Sequence, residues 1–350
     1  MRPSHVILIL LLCALNAYAD EEQPEKNAAA YYTKAFEALK LPESEQAMGP
    51  ATMIMMQGWA HHGTPELERF IDQNEECLAL FAKGVAVENC DFTFGEPKVQ
   101  LFSGISKWNR SVWNMTCLVV LAARRAEHRG DMEKAVEMYL AHLKFMDHVA
   151  QGRPTVDKII ALNCEGRTLL AIIDCLKKHQ LDKDSFKKLA MGLKAHEKRF
   201  YPVQKILDDE KEYYLFIVHW VVDRALEVKP EEGEDNSGTI RYGKALLEEA
   251  GRCSDEFYEL GSKGCASNSE EGWAAAQAKE QELRKKGGTI RNDIEKVEDF
   301  VDLVRTEKYT APELAEMMLG LYLSSPKGMW LSHTNNLKRL RQALERMGVQ

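Results

Sequence analysis

Apolar side chains recur along most of the chain with the 3.6-residue period of an α-helix, and strict alternation of apolar and polar residues is scarce. The pattern predicts helices over 28–39, 65–82, 108–128, 131–150, 154–179 and 182–200. After Pro202 a further helix of about 25 residues ends before Pro230, and others follow over 239–260, 269–286, 289–305, 311–323 and 330–347. Start signals are explicit at two of them. Thr64-Pro65-Glu66 offers a capping hydroxyl, a proline at the first helical position and an acid in the first turn. Thr310-Ala311-Pro312-Glu313 is a capping box. The fold class expected is therefore all-α, with short connections that pack successive helices as antiparallel hairpins, in a solenoid or multi-helix bundle.

The 154–179 helix is the most informative. Asn163, Arg167, Asp174 and Lys178 share a narrow polar stripe, and Ile159, Ile160, Leu162, Leu169, Leu170, Ile172 and Ile173 occupy much of the remaining circumference. A helix apolar on most sides sits centrally. Glu165 falls among Leu162, Leu169 and Ile172, where a carboxylate needs a cation or donor from a neighbouring helix, or a raised pKa.

Residues 1–19 read as a secretory signal peptide. Arg2 provides the positive start, an apolar stretch of about ten residues follows, and Ala17-Tyr18-Ala19 is a cleavage site. The chain is therefore expected in the periplasm or outside the cell, with no transmembrane span after cleavage. The mature organisation expected is an N-terminal helical-hairpin region over 20–229, an acidic loop over 230–238 and a C-terminal helical region over 239–350 packed on the first.

Charge narrows the function classes. With 46 basic and 54 acidic side chains the net is −8, which excludes a basic nucleic-acid footprint over the whole chain. Seven cysteines remain beyond the leader, an odd number with no C-x-x-C spacing, so neither a zinc knuckle nor a thioredoxin-like site is expected. Cys253 and Cys265 flank Gly261-Ser262-Lys263-Gly264, read as a turn, and are the first candidate disulfide; Cys77 and Cys90 are the second.

Residues 130–139, Gly-Asp followed by Ala135 and Tyr139, resemble the second half of a tetratricopeptide repeat. Ala122-Ala123 stands where the repeat favours Leu-Gly, and no second copy recurs at a period of about 34 residues, which implies irregular hairpins. Residues 27–32, Cys90-Asp91-Phe92, residues 121–125, Gly130-Asp131 and the helix over 157–176 together resemble a set of uncharacterised secreted helical proteins of planctomycete-type bacteria. That resemblance implies an all-helical fold and an exported location, and brings no catalytic residue with it.

Candidate chemistry is sparse. His219 and Asp223 are four residues apart on a helix with Tyr213, Tyr214, Phe216 and Trp220, a spacing that suits a general base with its orienting carboxylate or a plain i,i+4 pair. The plain pair is the expectation, because no motif places a nucleophile. Catalytic candidates are thus Glu165, His219 and Asp223, and binding candidates are Arg167, Tyr213 and Trp220. His61-His62, the pair His142 and His148, and the Met48, Met53, Met55, Met56 segment do not form a metal-ligand pattern, so no metal is expected. No Walker A, G-x-G-x-x-G, G-x-S-x-G, H-E-x-x-H or EF-hand sequence occurs, and no cofactor is expected. The leading expectation is a non-catalytic binding or scaffolding module of the cell envelope with a protein or peptide partner. An envelope hydrolase built on the acidic and histidine residues of the long helices, and a self-associating structural component, are the alternatives. A pocket holding Glu165, Arg167 and His219 together would favour the hydrolase.

Overall fold

The computed structural model describes residues 26–42, 49–60, 62–92, 103–151, 156–200, 202–228, 237–267, 269–290, 294, 298–322 and 325–349. The signal segment and most of the acidic loop lie outside them. Among the described residues every regular element is helical. The first half holds α1 (Ala28–Ala38), α2 (Gly49–Gln57), α3 (Pro65–Asp72), α4 (Glu75–Ala86), α5 (Ser103–His128), α6 (Met132–Ala150), α7 (Val156–Lys178) and α8 (Lys183–Arg199). The second holds α9 (Val203–Glu227), α10 (Ser237–Ser267), α11 (Ala274–Ile290), α12 (Glu298–Thr306), α13 (Ala311–Tyr322) and α14 (Pro326–Arg346). No described helix is long and apolar enough to cross a membrane.

Local chemistry sets most helix starts. Thr64 Oγ1 accepts from the Leu67 amide at 3.3 Å, Asp131 Oδ1 accepts from Lys134, and Asp182 Oδ1 accepts from the amides of Asp184 and Ser185 at 2.9 Å each. The Thr310–Glu313 capping box closes in both directions. These contacts satisfy amides that a helix leaves unpaired in its first turn.

Three sequence expectations change. The 65–82 helix is two helices, because Asn74 leaves the helical path to exchange two 2.8 Å hydrogen bonds with the backbone of Lys40. Met53, Met55 and Met56 lie on a helix of their own, α2, with Ile54 and Met55 buried, and Met48 lies outside the described residues. Residues 261–264 are not a turn. The helix α10 runs through them to Ser267, and its glycines serve close approach: a Cβ on Gly264 would meet the Trp273 ring, and one on Gly261 would crowd Leu207. Cys253 and Cys265 therefore stand on one continuous helix, about 18 Å apart along its axis at 1.5 Å per residue. That exceeds the reach of a disulfide. Both are free thiols, as are Cys77 and Cys90.

Two apolar cores result. The first is built from α1–α8, with Tyr32, Phe81 and Phe145 in aromatic contact at its centre. The second is built from α9–α14 around Tyr214, Phe257, Phe300 and Leu283. Helix α9, on the N-terminal side of the acidic loop, buries its apolar face against α10 in the second core. Helix α14 spans both cores. Its early Met329 joins the second, while Leu340, Ala343, Leu344 and Met347 join the first. Each fully buried Leu or Met contributes roughly 1.5–3 kcal/mol. Asn336 of α14 donates to the Leu162 carbonyl of α7 at 2.6 Å, where Gly166 leaves room for it. Helix α7 is central as its pattern predicts, packed by α2, α5, α6 and α14.

Candidate functional site

The two cores meet along a seam where α6 and α8 end and α7 and α9 begin. The geometry there follows from the chain's turns. Helix α8 stops at Phe200, which is extended, and Pro202 opens α9 with no capping side chain. Four helix ends and the side of α14 cannot close completely on one another. They leave a cavity of about 230 Å³. Met146, Leu162, Phe200 and Ile206 give it apolar walls, and Asp147, Lys158, Glu165, His196 and Arg199 bring charge to it.

His196 is the hub. Its Nδ1 lies 2.9 Å from Asp147 Oδ1 of α6, and its Nε2 lies 3.3 Å from Glu165 Oε1 of α7. All three side chains are at most 9% exposed. Arg199, one turn beyond His196, places Nε 3.1 Å from Asp147 Oδ2, and Lys158 pairs with Asp209 of α9. The Phe200 ring stands edge-on between the His196 and His333 rings, at centroid distances of 5.7 and 4.8 Å. The last turn of α8 carries His196, Lys198 and Arg199, cations that its C-terminal dipole favours.

Burial pulls the His196 pKa down, but its contacts with Asp147 and Glu165 outweigh burial and hold it up to about 10. Burial raises the Glu165 pKa, and His196 opposes that rise. A histidine that stays protonated has no lone pair for a metal and no capacity as a general base. It acts as a fixed cation joining α6, α7 and α8. Among the described residues, no group of His, Cys, Asp and Glu is placed to hold a metal ion.

Of the residues singled out in the sequence, only Glu165 lines this cavity, and the cation its setting demands is supplied by His196. Arg167 points elsewhere and donates to Met56 Sδ at 3.1 Å. His219 and Asp223 lie on the exposed side of α9. Trp220 is buried in the second core with Arg224 over its ring, and Tyr213 stacks on Phe216. The structure thus keeps Glu165 and His219 apart. Asp147, His196 and Arg199 carry the site without any sequence motif. One signal for them exists: Asp147 sits one turn beyond Leu143 beside Met146, and His196 continues the Leu189, Leu193 stripe, the same intrusion of charge into an apolar face that marks Glu165.

Two other buried polar groups belong to the first core. Arg124 is fully buried, with Nη1 2.9 Å from Glu127 Oε2 and 3.1 Å from Asp174 Oδ2, and Nη2 donates to the Met55 carbonyl. Tyr139 donates to Glu127 at 2.8 Å. His142 lies between Thr116 and Thr168, at 3.0 and 2.8 Å. Both groups lock α5, α6 and α7 together and lie outside the lining of this cavity. Comparison with family models, with curated proteins and with solved structures finds no match to this chain.

Proposed function

We propose that the chain is an exported, non-catalytic helical binding protein whose ligand is seated in the cavity between α6, α7, α8, α9 and α14. One observation carries the reading: ionisable side chains from four helices converge on a single cavity, and among its described lining residues there is no Ser, Thr, Cys or Tyr to serve as a nucleophile. The two carboxylates that hold the His196 pKa up argue against its use as a general base. The signal-like residues 1–19 support export. The α5–α6 hairpin, turning at Gly130 with φ +79°, supports the tetratricopeptide-like description. The seat is smaller than the peptide groove the hairpin pattern suggested, and favours a small molecule.

The test is native mass spectrometry of the purified chain after incubation with the small-molecule fraction of its own cells. A retained ligand is expected, and Ala161→Trp, which fills the cavity from α7, is expected to lose it. No retained mass, together with turnover in a hydrolase panel, would reverse the reading in favour of an enzyme.

A further inference from the structure

The cavity's own chemistry narrows the class of ligand, on the premise that the cavity is the binding seat. Four polar atoms on its wall are buried and have no aligned hydrogen bond among the described residues: Glu165 Oε1, Asp147 Oδ2 and both nitrogens of His196. Each of them has an ion-pair contact, His196 with Asp147 and with Glu165, and Asp147 Oδ2 with Arg199, but none is aligned as a hydrogen bond, so the carboxylate oxygens keep lone pairs for a further donor. A buried carboxylate whose partners are misaligned gains from a ligand donor that is aligned. Arg199 uses only Nε on Asp147, which leaves both Nη groups with no partner among the described residues. It is also the most exposed of these groups, so it stands at the cavity mouth.

The sign of the charges then decides. A plain cation that reached the carboxylates would also face His196, Arg199 and Lys158. A plain anion that reached Arg199 would face Asp147 and Glu165. An uncharged apolar molecule would offer the buried carboxylate oxygens no further donor. A net-neutral ligand with both charges close together meets the carboxylates and Arg199, and an aliphatic body fits Met146, Leu162 and Ile206. The volume agrees. A cavity of about 230 Å³ has room for a small molecule in place of several waters.

We infer that the cavity binds a small amphipathic zwitterion, an α-amino acid with an aliphatic side chain, its ammonium group on Glu165 and Asp147 and its carboxylate on the Arg199 fork.

Calorimetric titration of the full chain with four probes tests this: leucine, its amine counterpart 3-methylbutylamine, its acid counterpart 4-methylpentanoate, and the uncharged 4-methylpentan-1-ol. Leucine is expected to bind, with each half-analogue weaker by about ten-fold or more, since a charged hydrogen bond is lost in each. Arg199→Ala, at an exposed position that leaves the core untouched, is expected to weaken leucine and 4-methylpentanoate by about ten-fold and the amine much less. Glu165→Gln is expected to do the converse. Failure of leucine to bind, or a half-analogue or the alcohol binding as tightly as leucine, overturns the zwitterion assignment. A cavity-dependent ligand retained in the mass-spectrometric test would in that case leave the binding-protein reading standing, and its absence would remove both.

Discussion

Titrating the protein from pH 7 to pH 5 is expected to cost it roughly 3 kcal/mol of folding stability, about two-thirds of it through His142. The reason is visible in the hydrogen bonds. Thr116 spends its hydroxyl proton on the Val112 carbonyl at 2.9 Å, so its oxygen accepts from His142 Nε2. His142 Nδ1 then accepts from the Thr168 hydroxyl. The site is complete with a neutral ring, and a second ring proton would meet an O–H donor. Burial, with a smaller contribution from the His196 charge, lowers the His142 pKa to about 3. His148 accepts from the Tyr32 hydroxyl at 2.9 Å and is lowered, chiefly by burial, to about 4. Both lie below the ordinary 6.5 of an unfolded chain, so between pH 6.5 and these values only the unfolded state takes up the proton. The stability they contribute is complete above pH 6.5 and is lost as the pH falls, at about 1.4 kcal/mol per pH unit for each histidine. At pH 5 that is ~2 kcal/mol apiece, a large part of a typical 5–15 kcal/mol total. His196 behaves oppositely. Its folded pKa of about 10 lies above 6.5, so its contribution is complete below pH 6.5 and is lost as the pH rises toward 10, and acidification from pH 7 returns roughly 1 kcal/mol of it against the loss through His142 and His148. Stability is expected to peak near neutrality. Urea denaturation followed by circular dichroism at pH 7, 6 and 5 measures the acid limb. His142→Gln keeps a polar side chain that does not titrate, and is expected to remove about two-thirds of the loss between pH 7 and 5 whatever its stability at pH 7. An identical pH dependence in wild type and variant would refute the assignment.

Two further outcomes follow from the packing. Arg124→Met is expected to destabilise by about 3–5 kcal/mol, read from the urea midpoint, because Glu127 and Asp174 lose their shared cation in the core; adding Glu127→Gln is expected to restore part of the loss. Gly320→Ala places a Cβ against the Leu283 carbonyl oxygen, where α11 and α13 touch through backbone, and is expected to lower the melting temperature by an amount equivalent to about 1–3 kcal/mol, whereas Gly251→Ala, with open space around it in α10, is expected to gain about 1 kcal/mol.

What was legible in the sequence is what neighbouring residues decide among themselves. Thr64, Asp131, Asp182 and the Thr310–Glu313 box cap helices within three or four residues of their own positions, and the apolar circumference of α7 announces its burial. Glu165 was legible as a demand: a carboxylate on an apolar face requires a partner, whatever that partner is. The identity of the partner was not, because Asp147 and His196 are separated by 49 residues and join only when three helices pack. Glycine marks the same division. Gly130 makes a turn by its own positive φ, but Gly261 and Gly264 lie inside a helix, and the reason is Leu207 and Trp273, which no local pattern reveals. Caps and periodicity are short-range properties written along one helix. The cavity is a mismatch between helix ends that are distant in sequence, and its form is set by how those ends fail to fill the space between two cores.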